Sequence, residues 1–170
     1  SKSELLDAGL VVQNKNGGLY DKFRNRLMLP VIDTRGDVVA FGSRVLDKSE
    51  PKYMNSSETP VYSKRRVLYG LNLAKKTKRP NMILCEGNLD IVTLHQAGFD
   101  NAVASMGTAL TVEQTRLLSR FTKELVLCYD NDNAGKIATE RALQILNGSE
   151  FNVKVLQLPR RLVDGEYVKQ

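Results

Sequence analysis

The sequence predicts an α/β protein: a parallel sheet of about four strands with helices on both faces, preceded by part of a mixed α+β segment carrying a β-hairpin. Three observations predict it. Beyond Pro80, short continuous apolar runs alternate with longer amphipathic stretches, the pattern of strands buried on both faces and linked by helices. Before Pro80, two β-branched runs flank a short polar turn that contains Gly36. The chain's 170 residues, 42% of them hydrophobic, suffice for one well-packed domain or one domain with an attached flap.

Taken in order, residues 1–10 read as the end of a helix, with an acidic first turn and Gly9 as its stop. Residues 26–32 (RLMLPVI) and 38–46 (VVAFGSRVL) form the hairpin. Residues 51–59 (PKYMNSSET) are polar and without period, so they read as an irregular loop. Over residues 64–76, Val67, Leu68, Leu71 and Ala74 stand at helical spacing, and a basic run then leads to Pro80 as a stop. Strands follow at 82–85, 101–105, 125–129 and 153–158, with helices at 89–97, 111–121 and 134–146 between them. Thr111 has the chemistry of an N-cap. Right-handed crossovers bring the ends of all four strands to one edge, where such folds bind ligands.

Charge divides the chain. Residues 1–80 hold 16 basic and 8 acidic side chains, a net of +8, whereas residues 81–170 hold 9 and 11, a net of −2. The first half therefore suits a polyanion or is simply a solvated basic surface. Several classes are excluded. No run approaches the roughly 18 apolar residues of a membrane span, and the start of the chain has no signal-peptide pattern. Cys85 and Cys128 form neither a CxxC pair nor a disulfide framework, and both read as buried, inert strand residues. With His95 as the one histidine, a multi-histidine metal site is ruled out. The abrupt start and finish suggest a piece of a longer protein.

The unusual residues collect at the strand ends. One strand runs into Glu86-Gly87-Asn88-Leu89-Asp90, another into Asp130-Asn131-Asp132-Asn133-Ala134-Gly135. Asp130 and Asp132, two apart, share a face in extended geometry. Two such anions repel each other unless a cation neutralises them, and magnesium is content with one or two carboxylates plus water and phosphate oxygens. Glu86 reaches the same edge as a further ligand or a proton-transfer group, and Gly87 and Gly135 let backbone come close to a phosphate. Together these describe metal-assisted phosphoryl transfer. The competing reading is local: Asp132 or Asn133 capping the last helix, and Asp90 stabilising a helix start.

The combination LCEGNLD, VASMGTALT and LCYDNDNAG resembles the Toprim domain shared by primases, type IA and II topoisomerases, OLD-type nucleases and recombination-repair proteins, over about residues 80–158. Upstream, FRNRLMLPVIDTRGDVVAFGSRVL and PKYMNSSETPVYSKRRVLYGLNLA resemble the segment that precedes Toprim in bacterial replicative DNA primases. The resemblance implies a partial basic subdomain at residues 1–79, Toprim at 80–158, and a truncated tail at 159–170. It also implies Mg2+, replaceable by Mn2+, on Glu86, Asp130 and Asp132, which would be the catalytic acids. Lys52, Tyr53, Asn55, Ser56 and Lys64 would bind nucleotide or guanosine tetraphosphate, and Arg24, Asn25, Arg26 and Arg44 would line the path of a single-stranded DNA template.

Implied partners are therefore template DNA, ribonucleoside triphosphates and a replicative helicase, the last through a domain not present here. No membrane partner is expected, nor zinc in this segment, and the setting would be the cytoplasmic replication fork. The family's further acidic cluster is not matched: residues 158–170 offer only Asp164 and Glu166. Activity of this segment alone is accordingly not expected. A Toprim nuclease or topoisomerase-like strand transferase, and a non-catalytic nucleotide-binding module, are the alternatives.

Overall fold

A computed structural model describes residues 1–107 and 109–157, together with the backbone of 161–163 and 166–168. The tail acids Asp164 and Glu166 therefore lie outside the residues whose side chains are described. The chain opens on α1 (Lys2–Asp7), whose Ser1 cap and Glu4 form a reciprocal capping box. A small antiparallel pair follows, β1 (Val11–Gln13) with β2 (Leu19–Asp21).

The predicted hairpin is β3 (Arg26–Ile32) with β4 (Val38–Val45). Asp33 closes its turn by accepting from the backbone amides of Arg35, Gly36 and Asp37. The loop reading of residues 51–59 needs correction. Tyr53–Asn55 forms β5, which pairs with β4 in the register Gly42–Asn55, Ser43–Met54 and Arg44–Tyr53. Three residues are too few for an alternating pattern to stand out in a sequence.

A second correction concerns the helix expected over residues 64–76. Leu68–Tyr69 is instead a strand, β6, and only Leu71–Ala74 is helical, α2. Gly70 separates them at φ +81°, outside the right-handed helical region, and a Cβ there would lie 2.7 Å from Ile91 Cγ2. The apolar residues that mimicked one helical stripe are divided between a sheet edge and a single turn.

The second half follows the predicted alternation: β7 (Asn81–Cys85), α3 (Asn88–Gln96), β8 (Ala102–Ser105), α4 (Val112–Leu118), β9 (Glu124–Leu127), α5 (Asn133–Leu146) and β10 (Asn152–Val155). Strand order is β10-β9-β7-β8-β6, parallel except for β6, which runs antiparallel to β8. Two further short strands, β11 (Arg161–Val163) and β12 (Glu166–Val168), pair with each other.

Strand alternation sends Met82, Leu84, Val103, Leu125 and Leu127 to one face, where they pack with Leu118 of α4 and with Ala142 and Leu146 of α5. Ile83, Cys85, Ala102, Ala104 and Cys128 turn to the other face, against Ile91 and Leu94 of α3. Both faces are covered, as a parallel sheet requires.

The two halves interlock. A third cluster joins Val31 and Ala40 of the hairpin to Tyr62 and Met106. Gln114, fully buried, acts as the tie between α4 and the chain before β6. Its Nε2 donates to the Lys64 and Val67 carbonyls, both at 2.9 Å, and its Oε1 accepts from the Thr111 amide at 3.1 Å. Gln114→Leu should leave those carbonyls buried without donors and cost about 2–4 kcal/mol. Urea unfolding would measure it, and a cost below about 0.5 kcal/mol would show the bonds to be dispensable.

Candidate active site

The connection from β7 through α3 moves toward β8, whereas that from β9 through α5 moves toward β10. The crevice between the ends of β7 and β9 is therefore the topological switch point of the sheet, the place where open α/β folds bind ligands. Glu86 is the first residue after β7, and Asp130 stands three residues after β9. Both line one open cavity of about 930 Å³.

The cavity's other wall comes from the first half: Lys52, Tyr53 and Asn55 on and beside β5, with Ser43 of β4. Asn55 Nδ2 donates to the Met106 carbonyl at 3.3 Å, fixing this wall to the loop after β8. Tyr53 is exposed, with Lys52 Nζ 5.6 Å and the Arg44 guanidinium 5.9 Å from its ring centre. These cation–π contacts steady a flat aromatic surface edged by positive charge.

Asp132 has a different place. It is the N-cap of α5, its Oδ1 accepting from the Gly135 amide at 2.8 Å, and it is not among the residues lining the cavity. Asp90, in the first turn of α3, accepts from the Gly87 amide at 3.0 Å. Tyr129 also lines the cavity, largely buried, and burial together with the Glu86 carboxylate pushes its phenol pKa upward. Its hydroxyl therefore stays protonated through the neutral range. The Cys85 thiol, hydrogen-bonded to Cys128 and buried, is likewise pushed up. Cys128 itself is only half-buried, against the expectation of two buried cysteines.

Of the other expected residues, Ser56 is buried and structural: its Oγ accepts from the Phe41 amide at 3.0 Å. Lys64 stands near Lys22, whose ammonium is lowered by burial and then by the Lys64 charge, and Lys22 Nζ donates to Ser57 at 2.8 Å. Arg24 lies over the Tyr20 ring at 5.1 Å, Asn25 holds Asp47 at 3.0 Å, and Arg26 donates to the Pro51 carbonyl at 2.9 Å. The cross-strand pairs Leu27–Arg44 and Arg44–Tyr53 set Arg44 between β3 and the cavity wall.

Sequence reasoning missed Arg141. It lines the cavity with Ala134, Ile137 and Ala138, a row at i, i+3, i+4 and i+7 along α5. That periodicity was readable, and starting it from Ala134 would have placed Arg141 on the face toward the strand ends. Arg65 and Arg66 belong to another part of the surface, beside Glu113. Arg65 pairs there with Glu113 at 3.2 Å.

As a donor set, Glu86 and Asp130 are hard oxygen ligands suited to a hard divalent cation. Among the described residues no three His, Cys, Asp or Glu side chains gather closely enough for a closed cage. Two carboxylates in an open crevice suit a cation that keeps some of its waters and takes its remaining ligands from a bound substrate.

A mainly parallel sheet with Glu and Asp at its switch point, facing a basic wall, defines a Toprim-type α/β protein. A Toprim-like family model matches residues 83–166, and a model of the DNA primase catalytic core, N-terminal domain, matches residues 1–75. The DNA primase of Clostridium acetobutylicum is 47% identical over 168 residues, which are 98% of this chain and 28% of that protein. A solved DNA primase domain from Pseudomonas aeruginosa superposes with a TM-score of 0.87 at 42% identity, covering 93% of this chain and 51% of that one. A DnaG primase catalytic domain bound to single-stranded DNA gives 0.86 at 40% identity, covering 98% of this chain and 54% of its own. The chain belongs to the DNA primase catalytic-core family, and it spans little more than a quarter of those curated relatives.

Proposed function

We propose that this chain supplies the cation- and nucleotide-binding part of a DNA-templated RNA polymerase that makes short primers. The observation that carries the reading is that Glu86 and Asp130 share one cavity with Lys52, Tyr53 and Asn55. Acids at a switch point facing a lysine and an aromatic ring match the two ends of a nucleoside triphosphate: a polyphosphate needing counter-charge, and a base needing a flat partner.

In this reading Lys52 and Arg141 hold polyphosphate oxygens, Tyr53 stacks on a base, and Asn55 offers its amide edge. Glu86 and Asp130 would hold Mg2+ or Mn2+, with Asp132 ordering the loop from its cap position and joining them as a ligand when cation and substrate are present. A bound divalent cation supplies charge neutralisation at the α-phosphate and acidifies the attacking 3′-hydroxyl. Arg24, Asn25, Arg26 and Arg44 extend the basic wall away from the acids, a path for a template strand gripped through its phosphates. Ribonucleotides, template DNA and, through other parts of a full-length primase, a replicative helicase are the corresponding partners, at a cytoplasmic replication fork.

Calorimetry with a ribonucleoside triphosphate and Mn2+ tests the nucleotide wall. Lys52→Ala should weaken binding by about tenfold or more, since a hydrogen bond to a charged group contributes about 1.5–3 kcal/mol. Unchanged binding would overturn the assignment of Lys52. Cleavage of DNA in Mn2+ would favour a Toprim nuclease instead.

A further inference from the structure

We propose that Cys85 and Cys128 are a reversible dithiol–disulfide pair, oxidised by a peroxide and set on the α3 face of the sheet where β7 and β9 run toward the crevice. The parallel register of β7 and β9 ends on Leu84 opposite Leu127, and the Cys128 amide continues the ladder by donating to the Leu84 carbonyl at 2.8 Å. The next step sets Cys85 beside Cys128. Alternation turns both side chains to the α3 face, where they belong to one cluster. Neighbouring strands lie about 4.7–4.9 Å apart, inside the roughly 4.4–6.8 Å between Cα atoms that a disulfide spans. The Cα spacing is therefore within reach of a disulfide, and closing it requires the two Cβ atoms, which stand about as far apart as the strands, to draw within about 4.5 Å of each other.

The pair differs in access: Cys85 is 2% exposed, whereas Cys128 is half-buried. Cys128 is therefore the sulfur that meets the oxidant. Its Sγ attacks one peroxide oxygen, the O–O bond breaks, and the leaving oxygen departs as water with the thiol proton, giving a sulfenic acid. Cys85 Sγ then displaces the sulfenic hydroxyl, which leaves as a second water carrying the Cys85 proton, and the S–S bond forms. Two thiols lose two electrons and hydrogen peroxide gains them. The disulfide would tie together the strand ends that lead to Glu86 and Asp130. That consequence rests on the proposed function, whereas the thiol chemistry does not.

The test uses the whole chain, hydrogen peroxide and intact-mass spectrometry, with thiols counted after denaturation. The expected result is loss of both thiols, a monomer lighter by about 2 Da, one cross-linked Cys85–Cys128 peptide, and recovery of both thiols with dithiothreitol. Persistence of both thiols, a covalent dimer, or a gain of about 32 Da from sulfinic acid would overturn the proposal. A Cys85→Ala variant, folded by circular dichroism, should accumulate a dimedone adduct at Cys128 under the same treatment. No adduct there would also overturn it. Because these readouts are masses and thiol counts, their failure is separable from failure of the metal or nucleotide reading.

Discussion

Asp130→Asn should reduce Mn2+ affinity by on the order of 100-fold while leaving the thermal transition nearly unmoved. The substitution keeps shape and removes the charge at the switch point, and changes even one layer beyond metal ligands cost about 10–100-fold. Glu86→Gln should act in the same direction, since both carboxylates line the same cavity. Asp132→Asn provides the contrast. Asn is as good an N-cap as Asp, so α5 should survive, and a fall in affinity would then report Asp132 as a cation ligand and not only a cap. Mn2+ titration followed by electron paramagnetic resonance would measure all three. Wild-type affinity in Asp130→Asn would remove the acid pair from the site.

The second large effect is expected at Gly135. A Cβ there would lie 1.9 Å from the Asp130 carbonyl oxygen and 2.7 Å from its carbon. Both neighbours are backbone, so no side chain can swing aside. Gly135→Ala must push the Asp130 loop away from α5 or unwind the first turn, which also carries the Asp132 cap. A destabilisation of about 2–4 kcal/mol is expected in urea unfolding. Loss of cation binding should accompany it even where the chain still folds. An alanine variant with native stability and native Mn2+ affinity would show that the loop has room the structure does not suggest.

The reach of sequence reasoning varied with the physics behind each element. The alternation after Pro80 was legible because strands buried on both faces carry unbroken apolar runs, and helices between them carry caps such as Thr111. That residue indeed closes a reciprocal box with Gln114. The acids were legible because Glu86 and Asp130 directly follow apolar runs in the sequence, MILC and LVLCY. Residues 64–76 misled because helical spacing does not reveal that Gly70 stands at a positive φ, nor that Leu68 and Tyr69 pair with residues from a distant part of the chain. Ser56 misled for a related reason. A serine in a polar loop has the chemistry of a ligand, but this one closes a backbone hydrogen bond. Arg141 was hidden because a cation on a helix reads as solvated until the opposing wall is known.

The antiparallel edge strand β6 has one more implication. Leu68 and Tyr69 come from the basic half yet complete the sheet of the acidic half, hydrogen-bonded along β8. The seam where charge changes sign along the sequence is therefore not a seam in the folded molecule. A fragment begun at that change of sign would lack β6 and leave an uncovered row of backbone amides and carbonyls on β8, an adhesive edge ready to recruit another chain. The cavity wall around Tyr53 and the strand ends that carry Glu86 and Asp130 thus belong to one scaffold, and neither half can be loosened without the other registering it.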